Sequence, residues 1–155
     1  MGNIEENKEI VREFEERWGK GDSSVFDELT TNNFIGHWLT SDKAKDVDTV
    51  GFKRTVESGY IAFSDYALEI IDMIAEGDKV MVMKKRTGIN TGEFLSIPPT
   101  GKNISTFYIN LYRIENGKVA EVWGLEDSLG LYQQMEVLPS TMGFIQAYNE
   151  SHTND

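Results

Sequence analysis

Apolar residues recur at helical spacing at the start of the chain and give way to alternation after residue 64. Ile10, Val11, Phe14 and Trp18 share one side of an amphipathic helix whose other side carries Glu and Lys. Asn3 followed by Glu6 has the spacing of a capping box, and Gly19 and Gly21 end the helix. Val25, Phe26 and Leu29 predict a shorter helix over 24–29, with Ser23 as its cap. Val50, Phe52, Val56 and Tyr60 predict a third over about 49–59, weakened by Gly51 inside it. Tyr66, Leu68 and Ile70 then alternate with Ala67, Glu69 and Ile71, and a turn at Glu76-Gly77-Asp78 leads into a strand opening at Val80. Residues 88–101 hold glycines and Pro98-Pro99 and read as a loop or an interrupted strand. Residues 105–114 are a strand rich in aromatic and β-branched positions. Residues 119–127 return as its partner, 129–135 form a short helix, and Phe144, Ile145 and Tyr148 give the tail one docking turn. Helices first and antiparallel strands afterwards make an α+β domain over 1–139, with a tail at 140–155.

Asn116-Gly117 is a type I′ hairpin signal, and a two-residue loop sets strand register. Counting outward, Tyr112 faces Glu121, Asn110 faces Trp123, Tyr108 faces Leu125 and Thr106 faces Asp127. One face then mixes aromatics with Thr106, Asn110, Glu121 and Asp127. The other, with Phe107, Ile109, Leu111, Ala120 and Val122, is apolar. A face that is both aromatic and polar fits the wall of a ligand pocket, and it fits an oligomer interface equally well.

Charge narrows the partners. With 26 acidic and 15 basic residues the formal net charge is −11, which repels nucleic-acid phosphates and anionic membranes. The absence of cysteine removes disulfides, thiolate nucleophiles and cysteine metal sites. Two histidines, one of them in the tail, make no metal cluster, so no metal or other cofactor is expected. The charged N-terminus is neither a signal peptide nor a membrane span, which makes a cytoplasmic protein the default expectation.

Several residues carry candidate chemistry. Asp127 ends a strand and precedes a helix, the position of an N-cap. His37 in Phe34-Ile35-Gly36-His37-Trp38 is either a structural histidine near a strand end or a hydrogen-bond donor to a carbonyl. Asn90 and Asn110 are amides that could orient a carbonyl or stabilise an enolate. Lys85 or Arg86, depending on register, supplies a local cation.

The segment 88–139 resembles the SnoaL-like polyketide cyclases of the nuclear-transport-factor-like superfamily. Its matching residues are Thr91-Gly92-Glu93-Phe94, Ile97-Pro98-Pro99-Thr100-Gly101-Lys102, Arg113-Ile114, Asn116-Gly117-Lys118-Val119 and Glu121-Val122-Trp123. Asp127 with Leu129-Gly130-Leu131 and Gln133-Gln134 completes the set. The resemblance implies a cone-shaped α+β barrel, its N-terminal helices packed on a strongly curved, mainly antiparallel sheet around a ligand cavity. It implies a cofactor-independent cyclase or isomerase acting on a small hydrophobic carbonyl compound. Asp127 would be the general acid/base, assisted by His37, with Asn90, Thr106, Tyr108, Asn110, Trp123 and Leu125 against the substrate. Asn90 and Met83 depart from histidine and arginine common in the family, which points to a different substrate. The alternatives are a non-catalytic binder with the same cavity, and a hydrolase or hydratase in which Asp127 activates water. The expected partners are a small hydrophobic ligand and a second copy in a homodimer or higher oligomer.

Overall fold

A computed structural model describes residues 3–39 and 45–152. Three helices come first, α1 (Ile4–Gly19), α2 (Val25–Leu29) and, after two strands, α3 (Thr49–Ala62). The strands are β1 (Thr30–Trp38), β2 (Lys45–Val47), β3 (Phe63–Glu76), β4 (Lys79–Asn90), β5 (Asn103–Glu115) and β6 (Lys118–Glu126). α4 (Ser128–Gln134) and α5 (Thr141–His152) follow. The strands form one sheet in the order β2-β1-β6-β5-β4-β3, antiparallel throughout except where β1 runs parallel to β6. No described helix is long and apolar enough to cross a membrane.

The N-terminal capping box forms as its spacing predicts. The Asn3 side chain accepts from Glu5 N–H, and Glu6 reaches back to the Asn3 N–H. The apolar stripe of α1 lies on the inner face of the sheet, where Val11, Phe14 and Trp18 meet Phe26, Phe52, Val80, Val82, Tyr112 and Val122. Edge-to-face ring contacts join Phe14 to Phe26 and Tyr112, with centroids 5.1 and 5.8 Å apart. Asn7, buried on the same helix, donates to Gly77 O across the β3–β4 turn at 3.0 Å. The helix is thereby tied to both the middle and one end of the sheet.

Three expectations need correction. The first is the start of 88–101, which read as a loop or an interrupted strand: β4 continues through Gly88 to Asn90, and only the residues from Thr91 onward leave the strand. Residues 141–152 form a full helix, α5, none of whose residues is buried, so Phe144, Ile145 and Tyr148 do not dock as a buried turn.

The third concerns the hairpin. Near the turn, Glu115 faces Lys118 and Ile114 faces Val119 as expected, but Arg113 pairs with Glu121. Ala120 is an extra residue on β6, a bulge that opposes two residues to one. Beyond it the register is displaced by one: Tyr112 faces Val122, Asn110 faces Gly124 and Tyr108 faces Glu126. A one-residue slip moves a whole strand to the opposite face. Glu121, Trp123 and Leu125 therefore lie on the outer face, while Thr106, Tyr108, Asn110 and Tyr112 remain inside.

Candidate active site

The inner face of β4 alternates from Val80 and Val82 to Lys84, Arg86 and Gly88. Lys84 and Arg86, 1% and 3% exposed, are the informative positions. Cross-strand register sets Ile70, Lys84, Tyr108 and Glu126 in one row, with Leu68, Arg86 and Thr106 in the next. α1 closes over this surface and contributes Glu15, which occupies the same apolar stripe as Val11 and Trp18 and is 2% exposed.

The polar groups form two adjoining sets. In the first, Lys84 Nζ donates to both Glu15 oxygens at 2.6 and 2.8 Å and lies 4.0 Å from the Trp18 ring centroid. The Tyr112 hydroxyl also donates to Glu15. The Asn110 amide lies beside them, and with its oxygen toward Lys84 it accepts from Nζ at 3.1 Å. Burial pulls the Lys84 ammonium below the usual lysine range, as does neighbouring Arg86, against the opposing pull of Glu15. Burial and the Glu15 charge push the Tyr112 phenol well above its ordinary value, so it stays a donor at neutral pH. A cleft of about 270 Å³ lies against this set, lined by Arg12, Glu15, Glu16, Leu68, Ile70 and Lys84.

In the second set the Arg86 Nε donates to Thr106 Oγ1 at 3.2 Å and Nη1 donates to the Tyr108 hydroxyl. Its remaining nitrogen, Nη2, is buried without a hydrogen-bond partner, and Glu126 Oε1 stands 3.8 Å from it. Phe63 and Tyr108 present ring faces to the guanidinium at 5.4 and 4.8 Å. Tyr66, Tyr108 and Tyr132 are half-buried around it, and burial raises all three phenols. The set thus has a cationic floor, a partly exposed rim of neutral phenols and one carboxylate beside the cation.

Of the residues singled out in the sequence, Thr106, Tyr108 and Asn110 belong to this interior. Asn90 is wholly buried, but its amide is fully used: Nδ2 donates to Ala62 O at 3.2 Å and Gly92 O at 2.9 Å. Its Oδ1 accepts from Thr100 N and Oγ1 at 2.8 and 2.9 Å, so Asn90 clamps the β4–β5 loop. Trp123 and Leu125 are on the outer face, where Trp123 stacks on His37 with centroids 4.8 Å apart. His37 bonds Asp46 at 2.7 Å and Glu121 at 3.0 Å, on the outer face. Burial opposes its charged form, yet the Asp46 and Glu121 carboxylates outweigh that and hold His37 above the ordinary imidazole value. Asp127 is exposed and caps α4, accepting from Gly130 N–H at 2.8 Å. The structure thus separates His37 and Asp127 from the inner polar sets and brings Glu126 inward. Met83 and Lys85 also face outward, leaving Arg86 as the inner cation of the Lys85/Arg86 choice.

Glu15, Lys84 and Glu126 were missed, although two of them left signals. Glu15 sits at helical spacing with Val11 and Trp18, and Lys84 is two and four residues along from the buried Val82 and Val80. Glu126 had no such signal, since the bulge that turns it inward leaves no mark at Ala120.

The SnoaL-like polyketide cyclase family model matches residues 8–135, which include both polar sets. The chain belongs to this family. Among solved structures, this SnoaL-like chain is similar to AclR from Streptomyces galilaeus, described as a candidate hydroxylase, with a TM-score of 0.81 at 24% identity over 99% of each chain. It is also similar to a candidate SnoaL-like polyketide cyclase from Jannaschia sp. CCS1, with a TM-score of 0.77 at 26% identity over 90% of this chain and 98% of that one. A candidate polyketide cyclase from Bacillus cereus has a TM-score of 0.70 at 27% identity, over 86% of this chain and 82% of that one. No curated protein matches the chain significantly.

Proposed function

We propose that this SnoaL-like protein is a cofactor-independent cyclase or isomerase that moves a proton on a small hydrophobic carbonyl compound. The Arg86–Glu126 set on the inner face is the reacting centre. The observation that carries this reading is the buried Arg86 Nη2, unpartnered and 3.8 Å from the Glu126 carboxylate. A buried donor without a partner is costly, and a ligand oxygen would relieve it. A carbonyl oxygen held by Nη2 and a neighbouring phenol gains negative charge when the adjacent carbon loses its proton, and the guanidinium stabilises that enolate. Glu126 takes the proton. In a cyclisation the enolate carbon then bonds to a second carbonyl carbon, and the resulting alkoxide recovers the proton from Glu126. Assigning the base to Glu126 rather than Asp127 follows from their directions, one toward the guanidinium and the other onto helix amides.

The test is solvent deuterium incorporation next to the carbonyl of aryl ketones such as α-tetralone, followed by NMR. Glu126→Gln is expected to slow exchange by about 10²-fold or more, and Arg86→Lys to weaken it, while Asp127→Asn keeps most of it. If the ketones bind but the wild-type protein does not accelerate exchange, the chain is a binder. If Asp127→Asn abolishes exchange and Glu126→Gln preserves it, the family's aspartate is the base after all.

A further inference from the structure

The buried Lys84–Glu15 pair plays no part in that proton transfer. Lys84 is two strands from Glu126, with Tyr108 of β5 between them in the same cross-strand row, and it is two residues from Arg86 on the same face of β4. Both cations lie against the Tyr108 ring, Lys84 Nζ at 5.7 Å and Arg86 Cζ at 4.8 Å from its centroid. Lys84 and Glu15 also line the cleft of about 270 Å³, together with Arg12, Glu16, Leu68 and Ile70. A buried amine beside a second cation and a carboxylate has the surroundings of a nucleophilic lysine.

We infer that Lys84 forms a reversible imine with a small carbonyl compound that enters this cleft. The inference rests on the carbonyl reading above. Glu15 takes one proton from the ammonium across the 2.6 Å hydrogen bond, and the freed lone pair forms a C–N bond to the carbonyl carbon. A proton passes from that nitrogen to the oxygen, giving a neutral carbinolamine. Glu15 then returns its proton to the hydroxyl, the C–O bond breaks, and water leaves as the nitrogen lone pair closes the C=N bond. The net change is ammonium plus carbonyl to protonated imine plus water, with Glu15 restored. The protonated imine draws electrons from the neighbouring carbon more strongly than a carbonyl does and makes the proton on that carbon easier to remove. Tyr112, donating to Glu15, holds that carboxylate in place.

The experiment is reductive trapping of the intact protein with 4-phenyl-2-butanone and sodium cyanoborohydride, read by intact mass and peptide mapping. The expected result is one dominant adduct on Lys84, formed about tenfold or more faster than on any surface lysine. It should disappear in Lys84→Arg and slow about tenfold in Glu15→Gln. The wild-type map alone is decisive if these variants misfold. Adducts spread over exposed lysines such as Lys53 and Lys102, with Lys84 unmodified, overturn the inference. Absent trapping with intact deuterium exchange removes only the imine, whereas trapping on Lys84 with exchange unaffected by Glu126→Gln removes only the Glu126 assignment.

Discussion

At the scale of single residues, the interior is set by where charge is allowed to sit. Glu15 and Lys84 are each 1% exposed in their side chains and neutralise one another. Breaking such a pair leaves an uncompensated buried charge, so Lys84→Met is expected to lower stability in urea melts by about 3–5 kcal/mol. Adding Glu15→Leu should recover most of that loss, since two apolar groups replace two charges. Asp127 works differently: Asp127→Ala should cost about 1 kcal/mol through loss of the α4 cap, measured in the same melts. His37 couples stability to pH. Its folded value is raised, so its contribution is complete below the ordinary imidazole range and disappears as pH climbs through the raised value. The stability gap between wild type and His37→Gln should therefore shrink with rising pH, and a gap that widens would contradict the Asp46 and Glu121 pairing.

At the scale of elements, irregularities do the positioning. The β6 bulge exchanges the faces of Trp123 and Glu126, and further bulges in β3 lie between Ser64 and Ala67 and between Ile70 and Asp72. Bulges bend and twist a strand, which lets the sheet meet α1 along β3, β4 and β6. The β4–β5 loop is seated with no room to spare. A Cβ on Gly92 would stand 2.2 Å from Ile61 O, a backbone atom that cannot swing away. Gly92→Ala is expected to cost about 1–3 kcal/mol and to speed amide hydrogen exchange across 91–102. Asn116 and Gly117, with φ of 52° and 75°, show the opposite case, a turn whose chemistry is written into its own dipeptide.

At the scale of the molecule, apolar residues cover much of the outer side of the sheet as well as the core inside it. Outside, Ile74, Met81, Leu111 and Trp123 follow one another across four strands, beside Met83, Ile109 and Leu125. Phe107 and Leu125 are about half exposed at 50% and 51%, where water should favour polar side chains. Charges of both signs border this belt, since Glu76, Lys79, Arg113 and Glu121 form the next row. A second copy could therefore meet it without like-charge contact, despite the net charge of −11. Sedimentation is expected to show a homo-oligomer for the wild type and a shift toward monomer for Leu125→Glu. A monomer at every concentration would refute it.

The sequence by itself determined the helices before residue 136, the hairpin turn and the α+β order, because each depends on short-range spacing, and its resemblance over 88–139 pointed to the family. A capping box spans four residues and a type I′ turn is decided by its two central ones, so neighbours alone decide them. It also put Thr106, Tyr108 and Asn110 on one face of β5, as the structure has them, because β5 runs without a bulge through that stretch. Only the tertiary structure decided what stands opposite them. One extra residue at Ala120 reverses the parity of β6, and a bulge is chosen by how the sheet must curve over α1 rather than by the residues within it. The charged groups of the interior were hidden for a related reason. Glu15 and Lys84 each look like surface residues when considered alone, and burial becomes tolerable only when the fold brings 69 positions of chain separation down to 2.6 Å.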